Sequence, residues 1–215
     1  MKRIALPHTA SSTFRPVLSR PEWAADRLLV SVLRQDTESG GAAFMDAYVS
    51  EGWNMLEAGS ATGDIDSDAV AFGLVEAVKQ ARSQTGSAAT MFVADRGMAS
   101  AVCRAVMLAH RDDLLGSLCG LVTVDAFAES RAPALCKELA ELKNLATIWA
   151  VHRTDRALRE RTLKHHTALQ TLGRETHFLV LPVAARSLAE QLTDSRDPLG
   201  RETRWLLDPV HSRSA

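Results

Sequence analysis

The segment best suited to chemistry is centred on Asp95. It follows the apolar run Met91-Phe92-Val93-Ala94 and precedes Arg96 and Gly97, after which Met98-Ala99-Ser100-Ala101 opens a further apolar stretch. A chain that leaves a strand, turns on a polar pair and a glycine, and enters a helix holds its carboxylate at the end of a sheet between packed elements. Such a carboxylate can attack an alkyl carbon, and releasing the resulting ester then needs a base-activated water. The structural alternative is a polar residue that caps the helix, with Arg96 as its ion-pair partner.

Other polar clusters point to simpler roles. Asp64-Ile65-Asp66-Ser67-Asp68 alternates carboxylates as a calcium loop does, but it lacks the glycine and distal glutamate that complete one, so these acids are expected to cap the next helix. Arg153, Arg156, Arg159, Arg161, Lys164, His165 and His166 could form a basic helix face, yet no aromatic residue is interleaved to stack a base, and a solvated face is expected. Adjacent His165 and His166 point to different sides of a helix and do not share a metal. Cys103, Cys119 and Cys136 are far apart in apolar surroundings, which reads as buried thiols in a reducing compartment.

These residues need a scaffold, and the apolar pattern supplies one. Strand-like runs at Leu28 to Leu33, Trp53 to Leu56, Thr90 to Ala94, Leu118 to Val124, Leu145 to Val151 and His177 to Leu181 alternate with helical stretches at Phe44 to Ser50, Ala69 to Arg82, Gly97 to His110, Pro133 to Leu142 and Asp155 to Leu172. Short apolar strands separated by helices require crossover connections and predict a three-layer α/β fold, its sheet mostly parallel and covered on both faces. The first 26 residues, rich in Ser, Thr, Arg and Pro, lack a period and are expected to form an irregular arm. Residues 27–207 are expected to form one domain, and 208–215 a flexible tail.

At Ala94-Asp95-Arg96-Gly97 the chain resembles the α/β-hydrolase superfamily, in particular its branch with an Asp nucleophile: dehalogenases and epoxide hydrolases whose elbow reads His-Asp-Arg-Gly or His-Asp-Trp-Gly. The resemblance implies that Asp95 stands at the nucleophile position, with Arg96 and Gly97 completing the elbow. Leu145 to Asp155 resembles the penultimate strand and following loop, which implies the orienting acid of a triad at Asp155. Glu51-Gly52-Trp53-Asn54-Met55-Leu56 is similar to a strand of uncharacterised bacterial α/β-hydrolase-like proteins, and the likeness spans roughly residues 27 to 207.

Three departures bear on activity. The usual glycine two residues before the nucleophile is Val93. Where a His-Gly oxyanion loop should follow the first of these strands, the chain reads Arg34-Gln35-Asp36-Thr37-Glu38, which places acids where negative charge should be received. After the last strand Pro182-Val-Ala-Ala-Arg-Ser-Leu holds no histidine, and neither His177 nor His211 fits the base by position. The expectation is therefore a degraded active site in a non-catalytic binding or scaffold protein, with a small-molecule hydrolase acting on an ester or carbon-halogen bond through Asp95 as the alternative. With 25 basic and 26 acidic side chains, the chain has no global attraction to nucleic acid or anionic lipid. No membrane span, signal peptide, metal or cofactor is expected; the expected partner is an unspecified small molecule or protein, and the location cytoplasmic.

Overall fold

The computed structural model of the chain describes residues 1–6, 16–33, 40–58, 67–95, 98–114, 118–126, 137–182 and 187–206. Eight strands form one sheet: β1 (Lys2–Ala5), β2 (Val17–Arg20), β3 (Arg27–Val32), β4 (Asn54–Glu57), β5 (Ala89–Ala94), β6 (Leu118–Val124), β7 (Leu145–His152) and β8 (Thr176–Leu181), in the spatial order β1-β2-β4-β3-β5-β6-β7-β8. From β4 to β8 every neighbouring pair is parallel, while β2 is antiparallel to both β1 and β4. The expected three-layer fold with a mostly parallel sheet is what the chain adopts.

The irregular arm expected over residues 1–26 is corrected by β1 and β2. These strands are four residues long and polar, with Lys2, Arg3, Ser19 and Arg20 beside Ile4 and Leu18, so no apolar run announces them. They form at the sheet's margin, where charged short strands discourage further pairing. Only Leu18 and Ser19 in them are buried, and Leu18 packs in the main core.

Three helices cover each face among the described residues. Helices α2 (Ser67–Thr85), α3 (Ala99–Arg111) and α4 (Arg156–Thr171) share one apolar cluster with Val30, Phe92, Leu121 and Trp149. On the other face α1 (Gly40–Ser50), α5 (Leu188–Thr193) and α6 (Pro198–Leu206) pack with Leu29, Met91, Val122 and Ile148. The central strands are apolar on both sides because both sides are covered, and a large side chain buried in this way contributes about 1.5–3 kcal/mol. The helix expected over 133–142 is helical only at 137–139 among the described residues. Helix α3 matches its apolar sequence, with Ala101, Val102, Ala105, Val106 and Ala109 buried.

Candidate functional site

The carboxyl ends of the six parallel strands form one rim, which is where open α/β sheets place ligands. Asp95 is the first residue past β5. Met91 to Ala94 are fully buried and Asp95 is half-buried, so the strand delivers this side chain to the rim. Its carbonyl accepts a hydrogen bond from Met98 N at 3.0 Å, closing the turn into α3. Arg96 and Gly97 lie outside the described residues. The N-cap position of α3 is Met98, which makes no side-chain cap hydrogen bond, and Asp95 stands three residues before it.

Asp155, expected to orient a base, is the N-cap of α4. Its Oδ1 accepts from Leu158 N at 2.9 Å and its backbone is extended at φ −98°, which gives one of the four unpaired amides at the helix start a partner. His177 stands at the opposite end of the sheet from the rim. It is four residues before the end of β8, about 13 Å along the strand, where its Nδ1 lies 3.4 Å from Glu202 and its ring packs edge-on against Trp205. His211, residues 34–38 and residues 183–186 lie outside the described residues. Asp95 and Asp155 thus stand just past the ends of β5 and β7, and one oxygen of Asp155 is taken by the Leu158 amide.

A pair that the sequence reading did not find occupies the neighbouring stretch of the rim. Asp125 follows β6, and His152 ends β7. His152 Nδ1 lies 2.7 Å from Asp125 Oδ2, and His152 N donates to Asp125 Oδ1 at 3.0 Å. Asp125 N in turn donates to Ala150 O at 2.9 Å. Asp125 adopts a left-handed φ of 54°, which an Asp tolerates at a cost on the order of 1 kcal/mol. That twist turns its carboxylate across to β7. In the tautomer that donates from Nδ1 to this carboxylate, Nε2 is the ring's acceptor. Nε2 is buried and has no partner among the described residues.

Strand register sets the spacing of these groups. Ala94 is level with Thr123, and Val124 with Ala150, so Asp95 comes level with Val124 while Asp125 and His152 lie one and two residues further out. Strands β5 and β7 are two spacings apart, about 10 Å. Asp125 lies between Asp95 and His152 across the rim. The signal was available in the sequence: Val124-Asp125 and Val151-His152 are both the exit of an apolar strand into its first strongly polar residue, and neighbouring strands bring such exits together.

The remaining clusters have structural partners. Asp68, the described member of the acidic run, lies in the first turn of α2 and bonds Arg104 at 2.9 Å. On α4, Arg156 pairs with Glu160 one turn on, both exposed. His166 Nδ1 is 3.1 Å from Thr176 Oγ1 with its ring near Phe178, whereas His165 lines a groove of about 470 Å³ with Leu169, Leu172 and Arg174, so the two histidines do face different ways. Burial pushes the thiols of Cys103 and Cys119 up to about 12, which makes them unreactive near neutrality; Cys136 lies outside the described residues. Among the described residues no three His, Cys, Asp or Glu side chains converge to hold a metal, and no helix is long and apolar enough to cross a membrane.

No family model matches the chain, and no curated protein matches it in sequence. Solved structures do match in fold. A dienelactone hydrolase from Anabaena variabilis is 13% identical, with 94% of this chain and 97% of that one superposed at a TM-score of 0.66. XC6422 from Xanthomonas campestris, an α/β serine hydrolase without a lid, is 14% identical over 96% of both chains, TM-score 0.62. Carboxyl esterase 2 from the fungus Tuber melanosporum is 12% identical over 94% of this chain and 82% of its own, TM-score 0.64. The chain has the α/β-hydrolase fold.

Proposed function

We propose that this chain is a non-catalytic member of the α/β-hydrolase fold, a protein that binds a small molecule or a partner at the carboxyl rim of its sheet without turning it over. The observation that carries this reading is the engagement of Asp155: the carboxylate that stands where the fold's orienting acid would stand is hydrogen-bonded to Leu158 N as a helix cap. The sequence from Pro182 to Leu188 adds no histidine for it to orient. A nucleophile without a base and its orienting acid forms at most one covalent adduct and stops.

The experiment is a panel of short acyl p-nitrophenyl esters and haloacetates. No multiple turnover above the uncatalysed rate is expected, and steady turnover abolished by Asp95→Asn overturns the reading. The esterases and the dienelactone hydrolase among the solved structures make esters the first substrates to try.

One observation favours a second reading, hydrolysis of an ester or carbon-halogen bond through Asp95. The His152–Asp125 pair has the hydrogen-bonding pattern of an oriented base and stands on the same rim. Turnover lost in both Asp95→Asn and His152→Phe would establish that route in place of the first.

A further inference from the structure

The end of the sheet opposite the rim carries a groove that the chemistry of the rim does not use. Helix α4 starts behind Asp155 at the rim and reaches Leu172 about 25 Å away, where its last two turns face residues 137–142, the segment that leads into β7. Between them lies a groove of about 470 Å³, the size of a site for a small ligand. Ala140, Leu169 and Leu172 give it an apolar lining. Leu169 belongs to the main core, whereas Leu172 is 58% exposed, a large apolar side chain left facing solvent.

Arg174 joins the two walls. Gly173 ends α4 with a left-handed φ of 68°, Arg174 N then donates to Leu169 O at 3.1 Å, and Arg174 Nε donates to Ala140 O on the facing segment at 2.7 Å. One of the five guanidinium donors is thereby used, and the four on the terminal nitrogens bond no described residue. Lys137 and Arg174 are the cations of the lining and Glu141 is its acid. Burial, and after it Lys164, lowers the pKa of His165 from 6.5, so that this ring is mostly uncharged at neutral pH.

We propose that this groove binds a carboxylate carried on a short aliphatic chain, with the chain against Leu169 and Leu172 and the carboxylate on Arg174 and Lys137. The site is separate from the rim and holds whether or not the rim is catalytic.

The ligand class follows from matching both halves of the groove. A carboxylate takes two parallel bonds from a guanidinium whose terminal nitrogens are free, and Lys137 adds a second positive charge. Acetate or an inorganic anion satisfies the charge and leaves the apolar lining in water. An alcohol of the same length covers the lining but receives only a neutral hydrogen bond, and an alkylammonium meets two like charges against one acid.

The test is calorimetric titration of the full chain with acetate, butyrate, hexanoate and octanoate, and with 1-hexanol and hexylammonium as controls. Affinity is expected to rise along the carboxylate series by up to about fourfold per methylene, with hexanoate about tenfold tighter than 1-hexanol and no saturable binding of hexylammonium. Lys137→Gln and Leu172→Ser are each expected to weaken octanoate about threefold to tenfold, and Arg174→Gln by more than about tenfold. In protein labelled with 15N-histidine, the His165 ring signals, identified by their absence from His165→Gln, are expected to shift with the same saturation as the heat, which places the ligand in the groove. Circular dichroism checks folding; Lys137 and Leu172 are exposed, so their variants keep the test decisive if Arg174→Gln, which loses the bond to Ala140, does not fold. Hexanol or hexylammonium binding as tightly as hexanoate, a flat carboxylate series, no saturable heat, or octanoate held at parent affinity by both Lys137→Gln and Leu172→Ser overturns the proposal. So does a concentration-dependent dimer in sedimentation that Leu172→Ser abolishes and octanoate leaves unchanged, since a second copy would then occupy the groove.

Discussion

Arg204, on α6, closes a two-point bond with Glu51, 153 residues earlier at the end of α1: Nε lies 2.9 Å from Oε2 and Nη2 lies 2.8 Å from Oε1. The same guanidinium donates to the carbonyls of Leu192, Thr193 and Gly200 and lies over the Tyr48 ring, 4.8 Å from its centre. The last helix is thereby tied to the first, and with it the face of the sheet that holds the second apolar cluster. A lysine keeps the charge but cannot reproduce the planar fork, so Arg204→Lys is expected to lose about 1–2 kcal/mol in urea unfolding. Glu51→Gln keeps the carbonyl acceptor on a partly exposed group and is expected to lose less than about 1 kcal/mol.

Much of this architecture is legible in the sequence, and the limits have physical causes. The central strands from β3 to β7 are apolar because both faces of the sheet are covered there, so their runs stand out from polar surroundings, while edge strand β8 is mostly half-buried. β1 and β2 are not visible this way, since four-residue strands carrying Lys2, Arg3 and Arg20 bury only Leu18 and Ser19 and show no apolar run. Asp95 was legible because its turn is local: a strand, a polar pair and a glycine within a few residues. The partnership of Asp125 with His152 was not, because 27 residues separate them and only the β6–β7 register brings them together. Asp155 was visible as a residue, but its N-cap bond to Leu158 was not, because a helix N-cap and a loop acid occupy the same place after a strand.

Gly200 offers a sharper test of packing than any other glycine described. It sits in the first turn of α6, and a Cβ there would press on the backbone carbonyls of Asp194, Gln191 (2.7 Å) and Leu192 (3.0 Å). Backbone does not rotate away as a side chain does. Gly200→Ala is expected to destabilise by about 2–3 kcal/mol in spite of alanine's better helix propensity, through displacement of the α5–α6 turn. Thermal melts of the variant beside the parent measure it, and an unchanged midpoint would show that this turn yields.

Acid stability should carry the mark of α4. Burial, and to a lesser degree Lys164 beside His165 and His177 beside His166, lowers the pKa of both histidines from 6.5. The unfolded chain then binds more protons than the folded one between the depressed values and about 6.5. Stability is therefore whole above that value and declines as the pH falls from it through the folded pKa values. Urea midpoints at pH 7.5 and 5.5 are expected to drop less in a His165→Gln, His166→Gln double variant than in the parent. An equal drop would assign the acid sensitivity to other groups.

The role of Asp155 is the prediction that bears most directly on function. As an N-cap its contribution comes from one oxygen accepting the Leu158 amide, and asparagine supplies an equivalent oxygen, so Asp155→Asn is expected to change stability by less than about 0.5 kcal/mol. Alanine supplies none, and Asp155→Ala is expected to lose about 1 kcal/mol. An orienting acid behaves otherwise: asparagine there leaves the fold intact but favours the wrong imidazole tautomer, so activity falls steeply while stability holds. Denaturant unfolding and the ester panel, run on both variants, tell the two roles apart. A graded loss of stability from Asn to Ala with no turnover to lose supports the cap, and a turnover that Asp155→Asn abolishes would return this carboxylate to a catalytic relay.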